Sequence, residues 1–169
     1  MTHSLLGLVH LIAALSALAL GALVLFRPKG DGVHRLLGYA YALAMLTVNA
    51  TALLIYRLTG RFNFLHVFAV ISLVTLLIGL SFPIRRRPAG TWLPFHYHFM
   101  GWSYIGLTAA LVAESSTRAL LPWLKRHGFT SFGWFGVVVG VASALVCVVG
   151  VRLLKVYGPV AARHLPPKS

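Results

Sequence analysis

Long apolar segments alternate with short polar ones along the whole chain. Five apolar stretches come close to the roughly 20 residues that a helix needs to cross the hydrocarbon core of a bilayer. They run over 4–26, 36–56, 64–82, 98–121 and 132–154. Short loops containing Pro, Gly and basic residues separate them. The pattern predicts an all-α, polytopic transmembrane bundle of about five helices, which takes up residues 1–169 as a single membrane domain.

The composition supports the same class of protein. The chain is 59% hydrophobic and 10% charged, and its mean hydropathy is +0.85. A soluble domain carries about 25% charged residues. This chain therefore lacks the polar surface that would cover a globule in water.

The basic residues predict an orientation. Fifteen Lys and Arg stand against only Asp31 and Glu114, which gives a net charge of +13. The loops between consecutive segments are numbered one to four along the chain. Loops one and three with the tail hold ten of these basic residues, and loops two and four with the N-terminus hold five. The positive-inside rule then predicts an outer N-terminus and an inner C-terminus. No basic patch with interleaved aromatic residues lies outside the apolar segments, so we expect contacts with lipid headgroups and none with nucleic acid.

Polar side chains inside the apolar segments are the candidates for function, because ionisable groups in a membrane are costly and usually face the bundle interior. With alternating helix directions and a rise of about 1.5 Å per residue, four such groups fall at similar depth in the outer half. They are His10, Asn49, His66 and Glu114, one from each of four segments. Asn49 is also suited to a plain interhelical hydrogen bond, and Glu114 to an ion pair with Arg118 one turn later.

A second set of histidines lies near the opposite face. His34 opens the second segment, and His96 and His98 open the fourth. The last two are two residues apart, so on a helix they point to different sides, and the sequence leaves open which one faces the interior. The chain has eight histidines in all: His3, His10, His34, His66, His96, His98, His127 and His164.

The fifth segment contains Gly136-Val-Val-Val-Gly140. Small residues four apart allow two helices to approach closely. We expect this face to pack within the bundle or, alternatively, to form a homodimer or a larger membrane complex.

Several of these residues also carry a resemblance to a known family. The matching segments are Lys29-Gly30, His34-Arg35-Leu-Leu-Gly38-Tyr39, Met45, Phe64-Leu-His66, Ser72, Thr75, His98, Trp102-Ser-Tyr104-Ile-Gly106 and Ala113-Glu114. In this order, over residues 28–116, the chain resembles a bacterial family of predicted membrane proteins, domain of unknown function 2306. The resemblance implies an inner-membrane protein whose characteristic polar residues are His34, His66, His98 and Glu114. It implies no activity.

The most specific functional hypothesis is a haem b electron carrier. A low-spin haem needs two axial histidines from facing helices. The chain offers His10 with His66 in the outer half, and His34 with His98 at the inner face. This alternation is similar to that of membrane cytochromes with two haems.

Two other hypotheses use the same groups. In the first, His10, His66 and Glu114 bind a transition metal such as iron, zinc or copper, with Asn49 and His96 in supporting positions. In the second, no cofactor is bound, and the groups form the polar network of a small transporter, a proton relay or an accessory subunit. Because these alternatives include both enzymes and carriers, the sequence leaves enzymatic activity undecided.

Overall fold

Five helices make up the described part of the chain, residues 5–56, 60–88, 91–128 and 132–163, in the computed structural model. They are α1 (Leu5–Phe26), α2 (Gly32–Leu54), α3 (Phe64–Arg85), α4 (Trp92–Arg126) and α5 (Phe132–Arg163). The prediction of an all-α bundle of about five helices is therefore confirmed. The main differences concern α5, which ends nine residues after its predicted segment, and α4, which begins six residues before its own and continues through Pro122. The sequence pattern predicts a loop at that proline, but membrane helices tolerate proline.

Side chains of loop one close the helix ends on both sides of that loop. Lys29 Nζ donates to the carbonyls of Val24 and Leu25, each at 2.7 Å, and so satisfies the last turn of α1. Asp31 caps α2 by accepting from the His34 amide at 2.6 Å. This cap explains why α2 begins at Gly32, four residues earlier than its apolar pattern predicts.

Four of the described helices are long and apolar enough to cross a membrane. The spans are Leu5–Phe26, Gly32–Leu54, Leu65–Arg85 and Gly136–Val156. Their outer surfaces expose apolar side chains such as Leu15, Ile71 and Leu145, which is the surface that lipid tails cover. The chain is accordingly a multi-pass membrane protein.

Helix α4 is the most polar of the five and lies at the centre of the bundle. It packs against α1, α3 and α5, so less of its surface has to face lipid. It runs antiparallel to α1, since Glu114 faces His10 while Tyr104, earlier in α4, donates to the carbonyl of Leu18 at 3.2 Å. These contacts place part of α4 at the same depth as α1, although α4 is not among the four apolar spans.

Small residues on one face of α1 allow α2 and α4 to approach it closely. Ala13, Ala17 and Gly21 are four residues apart and buried. A Cβ atom added at Gly21 would overlap the ring of Tyr104 and lie 3.0 Å from the ring of Tyr41. This is the close approach by small residues that membrane helices use in place of a hydrophobic driving force.

The close packing predicted at Gly136 and Gly140 does not occur within the described chain. Neither glycine has another atom within 4 Å of the position that a Cβ would take, so both face away from the neighbouring helices. The glycine of α5 that packs into the bundle is Gly150, which lies against Ile105. A homodimer through Gly136 and Gly140 stays a prediction.

The glycines provide a matched test of this packing. Gly21→Ala should destabilise the bundle by about 1–3 kcal/mol, because overpacking forces the tyrosine rings to move. Gly140→Ala should be neutral or stabilising, because alanine favours a helix over glycine by about 1 kcal/mol. Unfolding of both variants in detergent micelles measures the difference. An equal loss at both positions would show that the packing at Gly21 is misassigned.

Candidate functional site

His10 crosses from α1 to α2 on the same face as the small residues. Its Nδ1 lies 2.8 Å from Thr51 Oγ1. The Thr51 hydroxyl already donates its proton to its own helix, with the carbonyls of Thr47 and Val48 at 2.7 and 3.0 Å. Thr51 Oγ1 therefore accepts, and His10 Nδ1 carries the hydrogen. In the neutral ring the lone pair is then on Nε2.

Glu114 faces that lone pair from α4. His10 Nε2 and Glu114 Oε2 are 3.7 Å apart, with side chains 14% and 39% exposed. This distance exceeds a direct hydrogen bond but is short enough for an ion pair once the ring is protonated. The other carboxylate oxygen, Oε1, accepts from the guanidinium of Arg118. Glu114 thus makes both of the contacts that the sequence offered as alternatives, one through each oxygen.

His66 lies at the start of α3 and closes that helix end. Asn63 Oδ1 accepts from the backbone amide of Leu65 at 2.9 Å, and the backbone amide of Asn63 donates to His66 Nδ1 at 3.2 Å. The Asn63 side chain also accepts from the backbone amide of His66, and the reciprocal contacts between Asn63 and His66 form a capping box. The ring is 1% exposed and stacks with Tyr56 and Phe62 at centroid distances of 4.6 and 5.0 Å. His66 has a structural function that the sequence pattern did not reveal.

The same hydrogen bond fixes the tautomer of His66. Because Nδ1 accepts a hydrogen bond, the neutral ring carries its proton on Nε2. That Nε2 atom is buried and has no acceptor among the described residues. A nitrogen that ligates iron or zinc must offer a lone pair. Metal or haem binding through Nε2 would require His66 to shift its proton to Nδ1 and to give up the bond from Asn63.

Asn49 shares this layer but pairs with none of the other three groups in it. It is 2% exposed and lies two residues before Thr51 on α2. Its amide nitrogen Nδ2 is buried without an acceptor in the described chain. Asn49 therefore does not make the expected interhelical hydrogen bond through Nδ2 to any described residue.

The proposed metal ligands do not form one cluster. Among the residues that the structure describes, no group of three or more His, Cys, Asp or Glu side chains could hold one metal ion. His10 and Glu114 meet, whereas His66 belongs to the cap of α3. The metal hypothesis therefore has no assembled ligand set in this part of the chain, and both cofactor hypotheses stay predictions.

His96 faces the bundle interior, and His98 does not. His98 is exposed, whereas His96 Nδ1 lies 2.8 Å from the carbonyl of Gly79 on α3. That carbonyl lacks its usual helical partner, because residue 83 is a proline and has no N–H to donate four residues back. His96 supplies the missing hydrogen. This settles the question that the sequence left open and gives His96 a structural function.

No contact between His34 and His98, the inner pair offered for a second haem, is among those of the described residues, and this pairing stays a prediction. His34 is half-buried at the start of α2 and has a buried Nδ1 with no partner in the described residues. His98, its predicted partner, is exposed and packs edge-on against Tyr97 at a centroid distance of 5.8 Å. Of the remaining histidines, His127 is exposed, and His3 and His164 lie outside the described residues.

An apolar core separates the two polar ends of the bundle. Between them, Tyr41 and Ser103 form a single buried hydroxyl pair, with oxygens 2.9 Å apart. Glu114 follows Ser103 on α4 by about three turns, or roughly 16 Å of helix. Met45 and Leu107 fill this space and are buried. The contacts described do not form a continuous polar path through the bundle.

Comparison with known proteins adds one finding. The model of a family described as predicted membrane protein (DUF2306) matches residues 7–154. The chain belongs to this family. The resemblance noted over residues 28–116 is thus confirmed, and the DUF2306 match also includes His10 and Asn49. No curated protein and no solved structure matches the chain.

The assignment of His96 in this DUF2306 chain can be tested by a double-mutant cycle. His96→Leu should cost about 1–3 kcal/mol of stability, because the Gly79 carbonyl then has no donor. Pro83→Ala restores a backbone N–H at position 83, so His96→Leu should cost at least about 1 kcal/mol less in that background. Unfolding of the four proteins in micelles measures the coupling. Additive effects would refute the assignment.

Proposed function

We propose that this protein binds and releases a proton at His10 without a bound cofactor, as the relay site of a small transporter or of an accessory subunit. One observation carries the proposal: His10 joins Thr51 of α2 to Glu114 of α4 within the membrane-spanning part of the bundle. The family match supports a membrane protein and names no activity. The charge count favours an orientation with this layer on the outer side, and the resemblance to the family implies a bacterial inner membrane.

The two ring nitrogens of His10 have different roles. Thr51 accepts from Nδ1 and so holds the ring in one orientation. Nε2 then exchanges the proton, because it faces Glu114 Oε2 at 3.7 Å. The carboxylate stabilises the charged ring when the proton is bound, and Arg118 keeps the carboxylate in place through its other oxygen. This matches the general use of histidine as a proton-exchanging group.

The site exchanges protons with one end of the bundle. Glu114 is partly exposed, and Arg118, one turn later, is 67% exposed. In the other direction lies the apolar core around Met45 and Leu107. Passage of a proton to the far side would therefore require a second arrangement of the helices. In this arrangement the site loads and unloads from the side of loops two and four.

The haem hypothesis is the second candidate, and buried groups keep it open. His66 Nε2 and Asn49 Nδ2 are buried polar atoms without partners in the described chain, and such atoms are commonly explained by something bound there. The cost of this hypothesis is the rearrangement of His66 described above.

The test follows the protonation of His10 directly. In protein labelled with ¹⁵N-histidine and placed in lipid nanodiscs, NMR distinguishes rings protonated on one nitrogen from rings protonated on both. His10→Gln identifies the His10 signal. In Glu114→Gln, the ratio of doubly to singly protonated His10 should fall about fivefold at a given pH, the effect of ~1 kcal/mol of lost ion pairing at a half-exposed site.

Asp31→Asn is the matched control, because Asp31 is the only other acidic residue of the chain and lies at the opposite end of the bundle. It should leave the His10 ratio unchanged. If Glu114→Gln also leaves it unchanged, Glu114 only pairs with Arg118 and the proposal fails. An absorption spectrum of the same samples serves the second candidate: a Soret band, lost in His66→Ala, would replace the cofactor-free proposal with haem.

A further inference from the structure

A cleft opens at the end of α3, on the opposite end of the bundle from His10. Its volume is about 530 Å³, and its lining residues are Ser81, Phe82, Arg85, Arg87 and Pro88. The membrane span of α3 ends at Arg85, so the cleft lies where the hydrocarbon core gives way to the headgroup region.

The end of α3 brings two arginines to this cleft. Arg86 adopts a left-handed conformation with φ 49°, and its amide donates to the Phe82 carbonyl at 2.7 Å. This cap ends the helix and turns the chain. As a result Arg85, from the last turn, and Arg87, from the segment after the cap, line the same cleft.

The floor of the cleft is apolar and rigidly supported. Phe82 stacks on Phe95 at a centroid distance of 5.4 Å and packs against Phe99 at 5.7 Å. Ser81 donates its hydroxyl proton to the Ile78 carbonyl at 2.7 Å. Its hydroxyl is therefore committed, and the guanidinium groups are the donors that a ligand would meet.

Neither arginine is neutralised by an acidic side chain of the protein. The chain has only two such side chains. Asp31 caps α2, and Glu114 pairs with Arg118 at the far end. The negative end of the α3 dipole amounts to roughly half a charge, which is less than the two guanidinium charges beside it. The cleft consequently presents a net positive charge.

We infer that this cleft binds the phosphoryl group of an anionic membrane lipid. Arginine forms paired hydrogen bonds to phosphate oxygens, and basic pockets at the membrane boundary are typical lipid headgroup sites. The apolar Phe82 beside the arginines suits the glycerol and acyl part of a lipid better than a free anion. The inference is independent of the function proposed for His10.

Native mass spectrometry of the purified chain in micelles tests the site. Phosphatidylglycerol is titrated against the wild type, with zwitterionic phosphatidylcholine as the reference lipid. We expect phosphatidylglycerol to bind preferentially. The double variant Arg85→Gln, Arg87→Gln should weaken this binding roughly 30-fold, because each arginine that hydrogen-bonds the phosphoryl group contributes about a fivefold increase in affinity.

Arg27→Gln, Arg35→Gln is the matched control. It removes the same charge at the same end of the bundle from two exposed residues outside the cleft, and it should change affinity less than twofold. Arg85→Lys, Arg87→Lys keeps the charge and should retain part of the binding, which separates loss of a site from loss of folding. Equal losses in the two glutamine variants, or no preference over phosphatidylcholine, would overturn the inference.

Inorganic phosphate distinguishes the two sources of the ligand. If phosphate without lipid binds the wild type as tightly as phosphatidylglycerol does, and the cleft variant loses both, the phosphoryl site is supported but its ligand is the free anion. If phosphate displaces the lipid only weakly, the lipid assignment is supported.

Discussion

The close approach of α1 to α2 and α4 is the constraint on which the polar site depends. Ala13, Ala17 and Gly21 present almost no side-chain volume to the neighbouring helices, so the rings of Tyr41 and Tyr104 fill the space against α1. His10 lies on the same face, one turn before Ala13. At a wider spacing its short side chain would not contact Thr51 on one helix and Glu114 on another. The packing of small residues thus sets the geometry of the proton site.

Satisfaction of polar groups explains most of the remaining architecture. A hydrogen-bond donor or acceptor left unpaired in hydrocarbon costs several kcal/mol. In this chain nearby histidine side chains form hydrogen bonds with backbone groups at two such places. His96 replaces the amide that Pro83 lacks, and His66 completes the cap of α3. His66, which was offered as a cofactor ligand, and His96, which was offered in a supporting position, therefore both stabilise helix α3. Most positive charges have no acidic partner in the protein, because the chain has only two acidic residues. We infer that Arg85 and Arg87 pair with the phosphoryl groups of membrane lipids instead.

The sequence predicts well how deep each residue lies in the membrane, but it predicts poorly how each helix is rotated about its own axis. Segment positions and alternating directions suffice to place His10 and Glu114 in one layer, where the structure brings them together. Segment positions and directions cannot show which side of each helix faces the interior. Lipid and the bundle core are both apolar, so the hydrophobic pattern does not distinguish the lipid-facing side of a helix from its core-facing side. For this reason the sequence leaves open which of His96 and His98 faces the interior, and it points to Gly136 and Gly140 as the close-packing residues instead of the small residues of α1. Thr51 escapes notice because a threonine in an apolar segment usually bonds only its own backbone.

The contact between His10 and Glu114 is the central claim, and solid-state NMR can measure it in a bilayer. Protein carrying ¹⁵N-histidine and ¹³C-glutamate has only one glutamate, Glu114, so its side-chain carboxyl signal is unambiguous. A nitrogen 3.7 Å from a carboxylate oxygen predicts a clear dipolar coupling between His10 Nε2 and the Glu114 carboxyl carbon, absent in His10→Gln. A carboxyl carbon with no measurable coupling to His10 in the wild type would contradict the account.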